Sequence, residues 1–210
     1  MLYSLLIFLY GISWTIVYIS FIRNGRKEKV YCMPFFCIIG EIVWEVIYST
    51  QTFHVDISMQ TIFFCIYGIC ALIFLFQFFK YKKDSFPAIM EYKYLLPYIT
   101  ISSIAAIALQ ISFYFMWSYP YNMIYSCYIH TFSISFLMLI MYWIRGPKGY
   151  DLRIAIFKLI GDTSAMVLSS NLYLGENIDI AVICIGIAMF VTDSIFLISF
   201  LKMRKEALKS

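Results

Sequence analysis

Charge is what this chain has least of: 13% of its 210 residues are Asp, Glu, Lys or Arg, where a globular domain carries about a quarter. So few charges cannot cover the surface of a soluble domain. Histidine occurs twice, too rarely for a typical zinc site, and the six cysteines (Cys32, Cys37, Cys65, Cys70, Cys127, Cys184) form no C-x-x-C pair. Free packing thiols are therefore expected rather than disulfides or metal ligands. Proline is absent from the interior of every long apolar stretch; Pro34, Pro87, Pro97, Pro120 and Pro147 stand at or beyond their ends. That argues against the interrupted helices of transporters. No P-loop, G-x-G-x-x-G or G-x-S-x-G is present, which removes those routes to phosphate, dinucleotide and serine-hydrolase chemistry.

What remains is apolar. Hydrophobic residues make up 62% of the chain and the mean hydropathy is +0.82. A helix crosses the hydrocarbon with roughly 20 apolar residues, and such stretches are expected over 2–22, 33–52, 57–79, 95–117, 121–143, 154–173 and 178–201. The fold class is thus an all-α membrane protein, a seven-transmembrane helix bundle forming a single domain over 1–210. Met1–Phe21 has neither a basic leader nor a small-residue cleavage site, so it is expected as a retained helix. The sixteen Lys and Arg fall into four clusters: Arg23 to Lys29, Lys80 to Lys93, Arg145 to Lys158, and Lys202 to Lys209. The links near His54–Asp56, Ser118–Asn122 and Gly175–Asp179 hold none. By the positive-inside rule the clusters face the cytoplasm, giving an N-out/C-in orientation. They also account for the formal charge of +4, so nucleic acid is not an expected partner.

Four acids lie inside these spans: Glu41 and Glu45 in the second, Asp162 in the sixth, Asp193 in the seventh. At 1.5 Å per residue each stands within about 5 Å of a span centre. An acid at that depth costs roughly 2.5–3.5 kcal/mol, faces the bundle interior, and is functional by default. No Lys or Arg reaches that depth, unless Lys158 extends from one turn before Asp162. Without a counter-ion, burial favours the neutral carboxylic acid, a group poised to give a proton. His130, in the outer half of the fifth span, is either a proton relay or a hydrogen-bonded core histidine. The structural alternative for each acid is an interhelical hydrogen bond.

Aromatic residues are 20% of the chain, with 18 Tyr and 20 Phe. Most would serve packing or the interfacial belt. Others share faces with the acids. Glu41, Glu45 and Tyr48 follow i, i+4, i+7 spacing, with Trp44 at the edge of that stripe. Tyr10, Trp14 and Tyr18 form a stripe on the first span, Gln110, Tyr114 and Trp117 on the fourth. Phe190 and Phe196 flank Asp193. A neutral acid in a dry, ring-lined cavity can protonate an alkene or epoxide, and the ring faces then stabilise the carbocation without offering a lone pair to trap it. A second acid can orient the first or accept the final proton. No D-D-x-x-D is present to hold magnesium and diphosphate, so ionisation-driven prenyl chemistry is not indicated.

The run Gly40-Glu41-Ile42-Val43-Trp44-Glu45-Val46-Ile47-Tyr48 resembles the N-x-x-W-E-hydrophobic-x-Tyr signature in the second helix of the small seven-helix membrane terpene cyclases. These are the paspaline-type and meroterpenoid cyclases of fungal pathways, with bacterial relatives. That family pairs this Glu with an Asp in the last helix, and Val191-Thr192-Asp193-Ser194 is similar in type and position. The resemblance implies metal-independent, cofactor-free cyclisation of a lipophilic prenylated or polyprenyl substrate. Glu45 would be the proton donor, Asp193 its partner, and Trp44 and Tyr48 cavity walls. Trp14, Tyr18, Tyr114, Trp117, Phe190 and Phe196 are further candidates to line the substrate cavity, and Glu41, Asp162 and His130 are candidate auxiliary acids or bases. The family's Asn is here Glu41, so the acid could be oriented differently or the substrate could differ.

Two other functions fit buried acids: a proton-coupled small-molecule transporter, and a non-catalytic membrane interaction protein. Internal repeats and broken helices, the marks of the first, are not evident. The second would tolerate neutral replacements of Glu45 and Asp193.

Overall fold

The computed structural model describes residues 2–55, 59–85, 92–172 and 180–207; the links holding Asp56, Glu91 and Gly175–Asp179 lie outside them. The described residues form seven α-helices and no strand: α1 (Leu2–Glu28), α2 (Phe35–Val55), α3 (Met59–Ser85), α4 (Leu95–Met116), α5 (Tyr121–Arg145), α6 (Leu152–Leu172) and α7 (Ile180–Ala207). A 3₁₀ turn, Tyr92–Tyr94, leads into α4. Helices α1, α3 and α7 run one to two turns past the expected spans. Their Lys and Arg are good helix formers, and water satisfies the last carbonyls where lipid would not.

The ends obey local rules. Lys29 adopts φ 55°, which turns the chain so that the N–H of Val30 reaches the carbonyl of Gly25 at 3.1 Å and closes α1 in a Schellman arrangement. Asp151 caps α6: its Oδ1 accepts from the N–H of Ile154 at 3.1 Å, and its Oδ2 accepts from Arg153 at 3.0 Å. Burial alone would raise this carboxyl, but the Arg153 and Ile154 bonds outweigh it and hold it below the usual aspartate range. Protonation therefore favours the unfolded chain. The cap's contribution is complete above about pH 4, the ordinary aspartate value, and is lost as the pH falls through the lower folded value. Asp151→Ala is expected to cost roughly 0.5–2 kcal/mol, read as a lower melting midpoint at pH 7 that converges on wild type in acid.

Side-by-side packing of α1 with α6, α6 with α7, α7 with α5, α5 with α4, α4 with α2, α2 with α3 and α3 with α1 closes a ring, and α2 also touches α5. Polarity is inverted relative to a soluble bundle. Phe76, Leu96, Phe115 and Ile198 are each more than 60% exposed, whereas Glu41, Glu45, His130, Lys158, Asp162 and Asp193 are at most 5% exposed. Five stretches are long and apolar enough to cross a membrane: Ser4–Glu28, Gln60–Lys83, Tyr92–Met116, Tyr121–Arg145 and Ile180–Met203. Helices α2 and α6 are not in this set. They carry Glu41 with Glu45, and Lys158 with Asp162, which lower their apolarity. Their burial between other helices removes the need for a wholly apolar surface. All six cysteines are free thiols.

Candidate functional site

Helix α2 brings Glu41 and Glu45 to the inside of the ring one turn apart, because four residues return to the same face. Both line a cavity with an empty volume of about 290 Å³, together with Tyr10, Trp14 and Tyr18 from α1, Trp44 from α2, and Cys127, His130, Thr131 and Ile134 from α5. The two carboxyls have different surroundings. Glu41 accepts a short hydrogen bond from the Tyr18 hydroxyl on Oε1, and its Oε2 lies 2.7 Å from Nε2 of His130. Glu45 is equally deep, yet its Oε2 meets no hydrogen-bond partner among the described residues. A carboxylate without donors in a dry cavity is costly, so the Glu45 environment suits the protonated acid.

The rings around the acids are held in place by their own contacts. Trp44 donates its indole N–H to Ser126 at 3.0 Å and packs on Tyr48 at 4.9 Å and edge-on to Phe64 at 4.8 Å between ring centroids. Tyr48 is completely buried and donates to the Asn122 carbonyl at 3.1 Å; it supports Trp44 from behind and is not part of the cavity wall just described. Trp14 packs edge-on to Tyr18 at 5.3 Å, and Tyr18 in turn meets Tyr67 at 4.9 Å and Phe74 at 5.2 Å.

A second chamber adjoins the first and shares Tyr10, Trp44 and Cys127 with it. It has an empty volume of about 560 Å³ and is walled mainly by Ile7, Phe63, Phe64, Met123 and Leu168, with Gln60 at its edge. These residues come from the starts of α1, α3 and α5 and the end of α6, the end of the bundle away from the Lys and Arg clusters. The mainly apolar lining of this chamber suits a lipophilic group.

Beyond Trp14 lies a second group of buried charges. The indole N–H donates to Asp162 Oδ1 at 2.9 Å. Lys158, 1% exposed, donates to Asp162 Oδ2 at 2.6 Å, to Asp193 Oδ1 at 2.7 Å and to Ser135, and its ammonium stands 5.6 Å from the Trp14 ring centroid. Close passage of α1 and α6 makes this possible: a Cβ on Gly161 would lie 3.0 Å from Trp14 Cδ1.

The one exception the sequence left open is the case found: a cation, Lys158, does reach the buried acids. Lys158 does not sit with the exposed basic residues at the helix ends. It stands one turn from Asp162 on the inner face of α6, where two carboxylates offset its desolvation. Asp193 sits on Lys158 and is not on the wall of the Glu45 cavity. Three of the expected lining rings face outward instead: Tyr114, Trp117 and Phe190 are 40%, 37% and 45% exposed. Helix α4 buries only the narrow stripe Leu95, Ser102, Ala106 and Gln110, which leaves its last turn uncovered. On α7 the buried line runs Val182, Met189, Asp193, Phe196, and Phe190, three residues before Asp193, falls about 60° to one side of it. Phe196 packs in the core against Tyr142 and Tyr150 at 5.2 and 5.6 Å. The α1 stripe in the sequence pointed to Tyr10, which walls both chambers; spacing offered no signal for Cys127 and Thr131.

A family model described as Pyr4-like transmembrane terpene cyclases matches residues 1–206. Among curated proteins, the chain is 38% identical over 39 residues to "Terpene cyclase ascF" of Acremonium egyptiacum, covering 19% of this chain and 14% of that protein. It is also 38% identical over 39 residues to "Pyr4-family terpene cyclase mfmH" of Annulohypoxylon moriforme, covering 19% of this chain and 16% of the other. The match thus spans about one seventh of the length of these relatives. No solved structure matches the chain.

Proposed function

The chain belongs to the family of Pyr4-like transmembrane terpene cyclases, and from that premise we propose that it is a membrane-bound cyclase in which Glu45 protonates an alkene or epoxide of a prenyl chain. The observation that carries this reading is a buried carboxyl with an unpartnered oxygen in a cavity walled by Tyr10, Trp14, Tyr18 and Trp44. Donors converge on Glu41 and none on that Glu45 oxygen, which favours the neutral form of Glu45. Proton transfer to the substrate leaves a carbocation, and the ring faces stabilise it through their quadrupoles. Ring closure and loss of a proton then return an isomer of the substrate with no metal or cofactor taking part.

On this reading the reactive end of the chain lies at Glu45 and the remainder fills the chamber toward Phe63 and Phe64. That chamber has no basic lining residue, which suits an uncharged lipophilic substrate rather than a diphosphate. All seven helices span the bilayer, with α2 and α6 shielded by their neighbours, the N-terminus outside and the four basic clusters at the cytoplasmic face. The ion group of Lys158, Asp162 and Asp193 joins α6 to α7 and holds the Trp14 indole at the cavity wall.

Membranes containing the protein are expected to convert at least one of a panel of farnesyl- and geranylgeranyl-bearing phenols, terminal epoxides and free prenols into a product of unchanged mass and shifted retention. Proton-dependent uptake of a solute without any isomer formed would instead make the protein a transporter.

A further inference from the structure

Cyclisation begins and ends with a proton, so the site needs a base as well as an acid. The resemblance pairs Glu45 with Asp193, but Asp193 is held by Lys158 at 2.7 Å beside Asp162. Glu41 is differently placed. It lines the same cavity as Glu45, one turn along α2, about 6 Å by helical rise. Both its oxygens are engaged, Oε1 by the Tyr18 hydroxyl and Oε2 by His130 Nε2. With His130 in its Nε2–H tautomer, two donors meet one carboxyl and none meets the neighbouring Oε2 of Glu45, an asymmetry by which a pair of carboxyls divides acid and base work.

The His130 ring is fitted closely to this task. It lies against Gly40, where a Cβ would stand 2.7 Å from Cε1 and 2.8 Å from Nδ1, so the ring is clamped with Nε2 toward Glu41. Its Nδ1 is buried without a hydrogen-bond partner among the described residues. Position 41 is also where the chain departs from the Asn of the second-helix signature it resembles, and an amide cannot take up a proton as a carboxylate does.

We infer that Glu41, and not Asp193, is the base that ends the reaction, with Tyr18 and His130 as its positioning residues. The inference rests on the cyclase reading above. In the first step the Glu45 O–H bond breaks and its proton adds to the alkene carbon, or to the epoxide oxygen with C–O cleavage, leaving a carbocation and a Glu45 carboxylate. After ring closure a C–H bond beside the final cation breaks. Its electron pair forms the new alkene and its proton passes to the Glu41 carboxylate. Transfer of that proton from Glu41 to Glu45 resets the site, so atoms and charge balance and the product is an isomer.

The test compares the products that wild type, Glu41→Gln, His130→Asn, Asp193→Asn and Glu45→Gln make from a farnesylated phenol bearing a terminal epoxide, or from whichever member of the panel the wild type turns over. The readout is the ratio of the wild-type isomer to all other products, which does not depend on how much folded protein each membrane holds. Glu41→Gln is expected to turn over at least tenfold more slowly and to release alternative alkene isomers and water-trapped alcohols in place of one product. His130→Asn is expected to leak the same by-products in smaller proportion, which a purely structural role would not produce. Asp193→Asn leaves Lys158 balanced by Asp162, and whatever its rate, its fraction of by-products is expected to stay well below that of Glu41→Gln. A wild-type pattern from Glu41→Gln, or the leak appearing in Asp193→Asn instead, overturns the assignment of the base. Absence of any isomer from the wild type overturns the cyclase reading itself, whatever Glu41 does; undiminished turnover by Glu45→Gln leaves a cyclase but overturns Glu45 as its acid, and with it the acid–base pair assigned here.

Discussion

Glu45→Gln is expected to remove product formation while leaving expression and the melting midpoint near wild type. The amide matches the acid in shape and is neutral, as the acid is on the cyclase reading, so the surrounding packing of Trp44 and Tyr10 has no reason to change. What is lost is the transferable proton. General acids contribute roughly 10²–10⁴ in rate, and protonating an isolated alkene or epoxide without one lies beyond the reach of the remaining groups. Glu41 does not substitute, because on the assignment above it begins the cycle as the base and has no proton to give. A fall of about 10³ corresponds to roughly 4 kcal/mol of transition-state stabilisation. The measurement is product formed at saturating substrate per unit of folded protein. Activity within tenfold of wild type would show that another group delivers the proton.

Lys158→Met should be the most destabilising single change among the buried ionisable residues. Lys158 holds Asp162, Asp193 and Ser135 together, with all three charged side chains at most 2% exposed. Removing the ammonium leaves two carboxyls facing each other in low dielectric. Breaking a buried ion pair from one side costs roughly 3–5 kcal/mol, which for a chain of this size lowers the melting midpoint by on the order of 10 °C. Asp162, the acceptor of the Trp14 indole N–H, would lose the ammonium that fixes its other oxygen, so Trp14 is held less firmly and activity falls as well. The triple neutral variant Lys158→Met/Asp162→Asn/Asp193→Asn separates the causes. It is expected to recover most of the lost stability, because no uncompensated charge remains, and the comparison is read by thermal denaturation in detergent. Equal destabilisation of the single and triple variants would show that packing, not charge balance, sets the cost.

The helices themselves were legible because hydrophobic length is a local property. Seven apolar stretches appear as seven helices with starts close to those expected. Their far ends were less legible: α1, α3 and α7 continue through residues whose charge argued for links, because helix propensity and water at the termini outlast the apolar run. The depth of Glu41, Glu45, Asp162 and Asp193 was also readable, and all four are buried. Their partners were not. Lys158 looked like one more member of a basic cluster, since its position counted from the nearest link is shallow. Only its rotation on α6, with Asp162 four residues on and α7 alongside, turns it inward. The outward rings Tyr114, Trp117 and Phe190 failed for the related reason that a shared helical face does not say which neighbour, if any, covers it.

By itself, then, the amino-acid sequence determined a bundle of apolar helices carrying a small set of acids at mid-depth and a second-helix signature around Glu45. Transfer of side chains from water to lipid adds up along the chain, so segment identity and depth need no knowledge of neighbours. The tertiary structure alone decided that these acids divide into two groups either side of Trp14: Glu41 with Glu45, Tyr18 and His130, and Asp162 with Asp193 and Lys158. Apart from the one-turn pairs Glu41–Glu45 and Lys158–Asp162, those contacts join residues 23 to 89 positions apart. They follow from the order of helices around the ring and the angle at which each is turned, which side-chain packing sets and no local pattern records.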